Sequence, residues 1–291
     1  FPNSKSHRRN KMSQPFRLNK EGLINRNKKI SFTFNGKKLF GYEGDTIASA
    51  LIANGIHLVG RSFKYHRPRG FFGAGVEEPN AKLQVEFNGH SEPNVNATEM
   101  ELVEGLSATS QNCWPSVNFD IGAINNFLKM FFPAGFYYKT FMWPKSFWYK
   151  IYEPFIRKAA GLGVASLEKD KERYEHKFEY CDLLVTGSGP SGLASAYAAA
   201  KNGAKVILAE DKPRFGGTLL TDDVSIDNLS GKDWAEKIVS ELKSMPNVTV
   251  KNRSQVFGYY DHNMLVMFER VSDHLEKKSK FTPRQRLWYI R

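Results

Sequence analysis

The chain has 291 residues, enough for two modest domains, and its 41% hydrophobic and 13% aromatic content excludes wholesale disorder. Two cysteines, Cys113 and Cys181, exclude a disulfide framework and any iron–sulfur cluster or zinc site built from several thiolates, which fits a reducing cytoplasm. The formal charge of +12 is concentrated, with nine Lys or Arg against one Glu in residues 1–29, so residues 1–28 read as a flexible, solvated basic tail without an export signal.

Met12 follows a stretch without fold signals, so residues 1–11 are a candidate over-extension of the reading frame. From Lys29, apolar residues alternate on either side of Asn35-Gly36, the chemistry of a tight hairpin turn, which predicts two antiparallel strands. Asp45 then stands where it can cap a helix over 46–54, ending at Asn54-Gly55. Hairpin followed by helix opens a small α+β sheet of ubiquitin-like or ferredoxin-like (β-grasp) type, with a strand over 81–87 to complete it, and this domain is placed at 29–100. Between them, the loop 61–69 interleaves Arg61, Lys64, Arg67 and Arg69 with Phe63, Tyr65 and His66. That pattern suits an anionic group, an acidic partner surface, nucleic acid, or plain packing.

Residues 101–178 form a connector rich in aromatics, from Trp114 through Phe127, Phe131, Phe132, Phe136, Tyr137, Tyr138 and Phe141 to Trp143, Phe147, Trp148 and Tyr149. Lys129, Pro133, Lys139, Pro144, Lys145 and Lys150 interrupt it before any run reaches the roughly 20 apolar residues of a membrane span. Packing between domains or against another subunit is the expectation. The charged stretch 166–178 reads as a solvated linker to a second domain at 179–291.

That domain opens with the apolar run 180–186, followed at once by Gly187-Ser-Gly-Pro-Ser-Gly192. Strand, glycine loop and helix in this order place Gly187 at a tight turn and Gly189 where backbone meets a pyrophosphate, and let Gly192 bring the helix against the strand. Ala196 continues the helix face, Gly203 ends the helix, and a second strand finishes at Glu210. A carboxylate there accepts ribose hydroxyls and repels the extra phosphate of NADP, which favours NAD or FAD. Arg214-Phe-Gly-Gly-Thr218 offers a second stretch of flexible backbone, and Val256 ends a strand able to border an adenine. The seven histidines show no metal-ligand spacing, and no Ser, Cys or His stands in a nucleophile motif, so neither a metal nor a catalytic residue is expected in this chain.

The stretches Gly60-Arg-Ser-Phe-Lys-Tyr-His-Arg-Pro-Arg-Gly70, Glu78-Pro-Asn80, the aromatic run 132–144 and Gly187 to Gly192 together resemble the alpha subunit family of heterotetrameric sarcosine oxidases, over about residues 12–291. The resemblance implies a ferredoxin-like first domain without cluster cysteines and an incomplete Rossmann-type, glutathione-reductase-like NAD-binding domain, the sequence stopping short of the rest of that domain and of a folate-binding one. It implies NAD held by Ser191, Glu210, Asp211, Lys212, Thr218 and Val256. It further implies FMN at an interface with a beta subunit, FAD in the beta subunit, and gamma and delta partners. The implied reaction is oxidative demethylation of sarcosine to glycine, with formaldehyde or methylene-tetrahydrofolate and hydrogen peroxide formed by the whole complex and no turnover by this chain alone. Related amine- or opine-oxidising flavoenzyme complexes share the architecture, and a basic nucleic-acid-binding module is the alternative of another class.

Overall fold

A computed structural model describes residues 14–20, 22–131, 135 and 141–291. Residues 1–13 of the basic tail, and Phe132, Phe136, Tyr137 and Tyr138 of the aromatic run, lie outside the described residues. The chain divides into two compact units, Phe1–Asp170 and Lys171–Arg291.

In the first unit, β1 (Asn25–Phe34) and β2 (Lys37–Glu43) form the expected hairpin, and Asn35 and Gly36 turn it with φ of 48° and 76°. Helix α1 (Ile47–Ala53) buries Ile47, Ala50 and Leu51 against Ile30, Phe32 and Phe34 of β1. Its cap differs from expectation. Thr46 accepts from the Ser49 amide, and the Ser49 hydroxyl accepts from the Thr46 amide. Asp45 is buried instead and takes Arg17 at 2.6 Å, the Tyr42 amide and the Ser49 hydroxyl.

Arg17 belongs to the stretch expected to be a flexible tail. Over residues 14–20 the structure shows otherwise, because the Phe16 ring stands edge-on to His57 at 4.7 Å and Gln14 donates to the Phe40 carbonyl. Arg17 is thus held by Asp45, and farther along Lys28 finds Glu43 on β2 at 3.0 Å.

A two-residue ribbon, β3 (Gly60–Arg61) with β4 (Pro68–Arg69), closes the basic loop. The strand expected over 81–87 is β5 (Lys82–Phe87), but it does not complete the sheet. β6 (His90–Asn96) lies on its outer edge, and β7 (Ser107–Ser110), from within the expected connector, inserts between β1 and β5. The order β2-β1-β7-β5-β6, with β1 and β7 parallel, is a β-grasp arrangement. Four residues that carry no β-branched run are a weak sequence signal for a central strand. Farther on, a helix α2 spans Glu153–Ala160.

The second unit begins with β8 (Tyr174–Glu179), inside what reads as a solvated linker. Its charges are ladder partners, since Glu175 pairs with Arg286 on β16 (Gln285–Ile290) at 3.0 Å, and Phe178 stacks on Tyr289 at 5.0 Å. β9 (Leu183–Thr186), β10 (Val206–Ala209) and β13 (Val248–Lys251) form a parallel sheet of order β13-β10-β9. Alternation along the central strand decides the layers. Val206 and Leu208 face α3 (Pro190–Lys201) and α4 (Gly231–Ser244), whereas Ile207 and Ala209 face Met267, Trp288 and Ile290. Those last residues belong to a second sheet, β14 (Ser254–Tyr260), β15 (Met264–Arg270), β16 and β8. Between α3 and α4 lies the short hairpin β11 (Ser225–Ile226) and β12 (Leu229–Ser230).

Candidate functional site

The parallel sheet, read at the carboxyl ends of β9 and β10, presents the glycine loop to solvent. Gly187 follows β9 with φ of 90°, a conformation that a side chain resists. Gly189 is the first cap of α3, and no side chain closes that helix end, so the amides at its start are left for a ligand. A Cβ on Gly192 would stand 2.0 Å from the Gly187 carbonyl oxygen, which is the close approach of helix to strand. A Cβ on Gly189 would meet nothing within 4 Å. Gly189 therefore faces open space that a phosphate group can enter. Ser191 is exposed one residue into the helix.

Glu210 terminates β10 and is buried. Its Oε2 accepts from the Ser188 amide at 2.8 Å and from the Ser188 hydroxyl, and its Oε1 accepts from the Lys212 amide at 3.0 Å. These bonds occupy about three of the four acceptor positions of a carboxylate, so the expected grip on both ribose hydroxyls has room for little more than one. Burial, then the hydrogen-bonded carboxyl of Asp211, push the Glu210 carboxyl up from its ordinary value, while Ser188 and the Lys212 amide pull it back. Asp211 and Lys212 thus act on the site through Glu210, one by its carboxyl and one by its backbone.

The second glycine pair adjoins the first. Gly216 donates its amide to the Ser188 carbonyl at 3.1 Å and to the Ser188 hydroxyl at 3.0 Å. Gly217 lies so near that a Cβ on it would be 2.9 Å from the Gly189 Cα. Thr218, next in the chain, is exposed beside this contact. Val256 packs with Ile207 and Ala209 beneath the same strand end. Structure brings the predicted positions to one edge, and Ser188 joins them. Sequence reasoning passed over that serine because a loop's middle residue is free to vary; the only hint was a hydroxyl flanked by two glycines.

The other half of the chain offers a different constellation. Residues 27–113 match a family model described as "2Fe-2S iron-sulfur cluster binding domain", and residues 182–265 match "FAD dependent oxidoreductase". Over 275 residues, 94% of this chain, it is 54% identical to "Sarcosine oxidase subunit alpha" of Rhizobium meliloti (strain 1021), and it is 32% identical over 289 residues to the protein of that name from Corynebacterium sp. (strain U-96). The chain is a homologue of sarcosine oxidase alpha subunits. It spans 28% and 25% of the length of these two relatives. Among solved structures, L-proline dehydrogenase from P. horikoshii superposes with a TM-score of 0.52 at 17% identity, covering 91% of this chain and 40% of that one, a likeness of fold.

The description of the first model runs against the expectation of a metal-free domain, and the donor set runs the other way. A two-iron cluster takes four thiolates, or two with two histidines. Residues 27–113 contain one cysteine, Cys113, whose thiol is pushed up by burial and then by Asp120, so it stays protonated. Among the described residues no group of three or more His, Cys, Asp or Glu could hold a metal ion. These residues do not fit a cluster. Where the loop 71–81 turns, it wraps a carboxylate of its own: buried Glu78 accepts from the amides of Phe72 and Gly73, both at 2.6 Å, and of Asn80 at 2.7 Å and Ala81 at 3.2 Å. No helix among the described residues is long and apolar enough to cross a membrane.

Proposed function

We propose that this chain is the nucleotide-holding portion of the alpha subunit of an amine-oxidising flavoenzyme complex, acting in the oxidative demethylation of sarcosine. The observation that carries the reading is the open glycine loop aligned with Glu210, in a chain 54% identical along nearly its whole length to a sarcosine oxidase alpha subunit. In the proposed complex the amine is oxidised at flavins held with beta-type partners, and this chain supplies a fixed dinucleotide seat. Amides of Ser191 and Gly192 at the start of α3 receive a diphosphate, the acceptor position left on Glu210 takes a ribose hydroxyl, and Val256 borders the adenine.

NAD is the proposed occupant. Loop and acid address the ADP half that NAD and FAD share, so the match to an FAD-dependent model supports FAD as a second reading. Both readings are separated by titrating the purified protein with NAD, NADP and FAD. Tight NAD binding, with NADP weaker because its 2′-phosphate meets the Glu210 carboxyl, is the expected result. Retention of FAD through purification with no response to NAD would transfer the site to flavin, and failure of all three would remove it. Gly189→Ala is the matching variant: its methyl meets no protein atom within 4 Å, so folding is spared, but it fills the space beside the diphosphate and should weaken binding about 100-fold.

A further inference from the structure

The basic loop and the aromatic segment, widely separated in sequence, are built into one platform. Arg61 donates from Nε and Nη2 to the Val117 carbonyl at 2.8 and 2.6 Å, and Arg67 Nε donates to Asn126 Oδ1 at 2.8 Å. His66 and Asp120 pair in the interior at 2.6 Å, and Asp120 also accepts from the Trp114 and Gly122 amides. The His66 ring leaves no room for a side chain at Gly122, where a Cβ would stand 2.4 Å away. This fixes residues 114–126 on the loop in one conformation.

What the platform turns outward is apolar. Phe119 is 70% exposed, Phe127 84%, Met130 87% and Phe131 77%, with Trp114 beside them. Its charges have one sign. Residues 61–69 and 114–131 carry Arg61, Lys64, Arg67, Arg69 and Lys129 against one carboxylate, Asp120, which is buried with His66. Large aromatic patches with cations at their margin are recognition surfaces rather than solvated ones.

We infer that this platform docks another protein subunit, through a surface apolar at its centre and acidic at its rim. The inference rests on the multi-subunit reading above and names the partner's chemistry. Trp, Phe, Met and Arg are the residues enriched at protein interfaces, and a platform held rigid by Arg61 and Asp120 loses little freedom on docking. Bases would stack on the rings but gain little from Ile121, Ile124 and Leu128, which are exposed on the same segment. Short turns, Ile121–Asn126 and Lys129–Phe131, replace the long amphipathic helix that lies in a headgroup layer.

Zero-length carbodiimide cross-linking of the natively purified assembly tests it, together with hydroxyl-radical footprinting. Lys129 should join to an Asp or Glu of another subunit. Oxidation of Met130 and Phe127 should fall about tenfold relative to the same protein expressed alone. The double variant Phe127→Ser, Lys129→Glu, altered only at exposed positions, should keep its circular dichroism spectrum and its nucleotide affinity but elute without partners. Equal oxidation of Met130 in assembly and isolated protein would overturn the inference and leave the multi-subunit reading standing. A single-subunit mass for the native protein would sink that reading and the inference with it. Cosedimentation with phosphatidylserine–phosphatidylcholine vesicles, or salt-sensitive binding to duplex DNA, abolished by the double variant, would reassign the platform to lipid or nucleic acid.

Discussion

Glu78 and Ser188 show how single side chains take over work that sequence reading assigns to backbone. Burial by itself would push the Glu78 carboxyl up, yet the amides of Gly73, Asn80, Phe72 and Ala81 together outweigh it and hold the group below its ordinary value of 4.5. A depressed carboxyl contributes stability that is complete above about pH 4.5 and is lost as pH falls through the folded value. Glu78→Gln turns a donor toward those amides and should cost about 3 kcal/mol in urea unfolding at pH 7, with a smaller difference from the parent below pH 4. Glu210 runs in the opposite sense. Its raised carboxyl favours the fold below about pH 4.5, and that contribution disappears as pH rises through the folded value. Ser188→Ala removes the hydroxyl that pulls it back, so the Glu210 titration, followed by carboxyl NMR, should move further up. Nucleotide affinity should drop about tenfold as the acid loses its anchor.

Among elements, β8 is the most dependent on distant partners. A strand reading Tyr-Glu-His-Lys-Phe-Glu has a weak apolar face, and beside its ladder with β16 and the Phe178–Tyr289 stack it is tied to the sheet through Glu175, Arg286 and Glu269. Glu269 also accepts from Trp288 Nε1 at 2.7 Å and pairs with Lys251 at 3.3 Å. Arg286→Met would leave two carboxylates without their shared cation in a partly buried site, at a cost of about 3 kcal/mol in thermal or urea unfolding. Amide exchange should accelerate first in β8. Helix α1 needs no such help, because Thr46 and Ser49 cap it locally and five of its seven residues are buried.

At the scale of the molecule, the residues of the proposed nucleotide seat all belong to the second unit. Saturating NAD at about 100 times its dissociation constant should stabilise that unit by roughly 2.7 kcal/mol. Hydrogen exchange should slow at 187–193 and 210–218, and protection confined to the first unit would contradict the proposed site.

How much was legible follows from range. The hairpin at Asn35-Gly36, α1 apart from its cap residue, the strand–glycine loop–helix order and the acid at Glu210 are local patterns, set by turn conformations and residue spacing, so the sequence by itself determined them. Three features had no local signal: β7 enters the centre of its sheet from a stretch that reads as connector, residues 14–20 dock through Arg17 and Asp45, and β8 pairs along β16, where Arg286 meets Glu175 from 111 residues away. The site divides in the same way. Sequence placed the glycines and Glu210, whereas only the tertiary structure decided that Ser188 occupies most of the carboxylate and that Gly217 crosses over Gly189, because both depend on three chain segments meeting at one point.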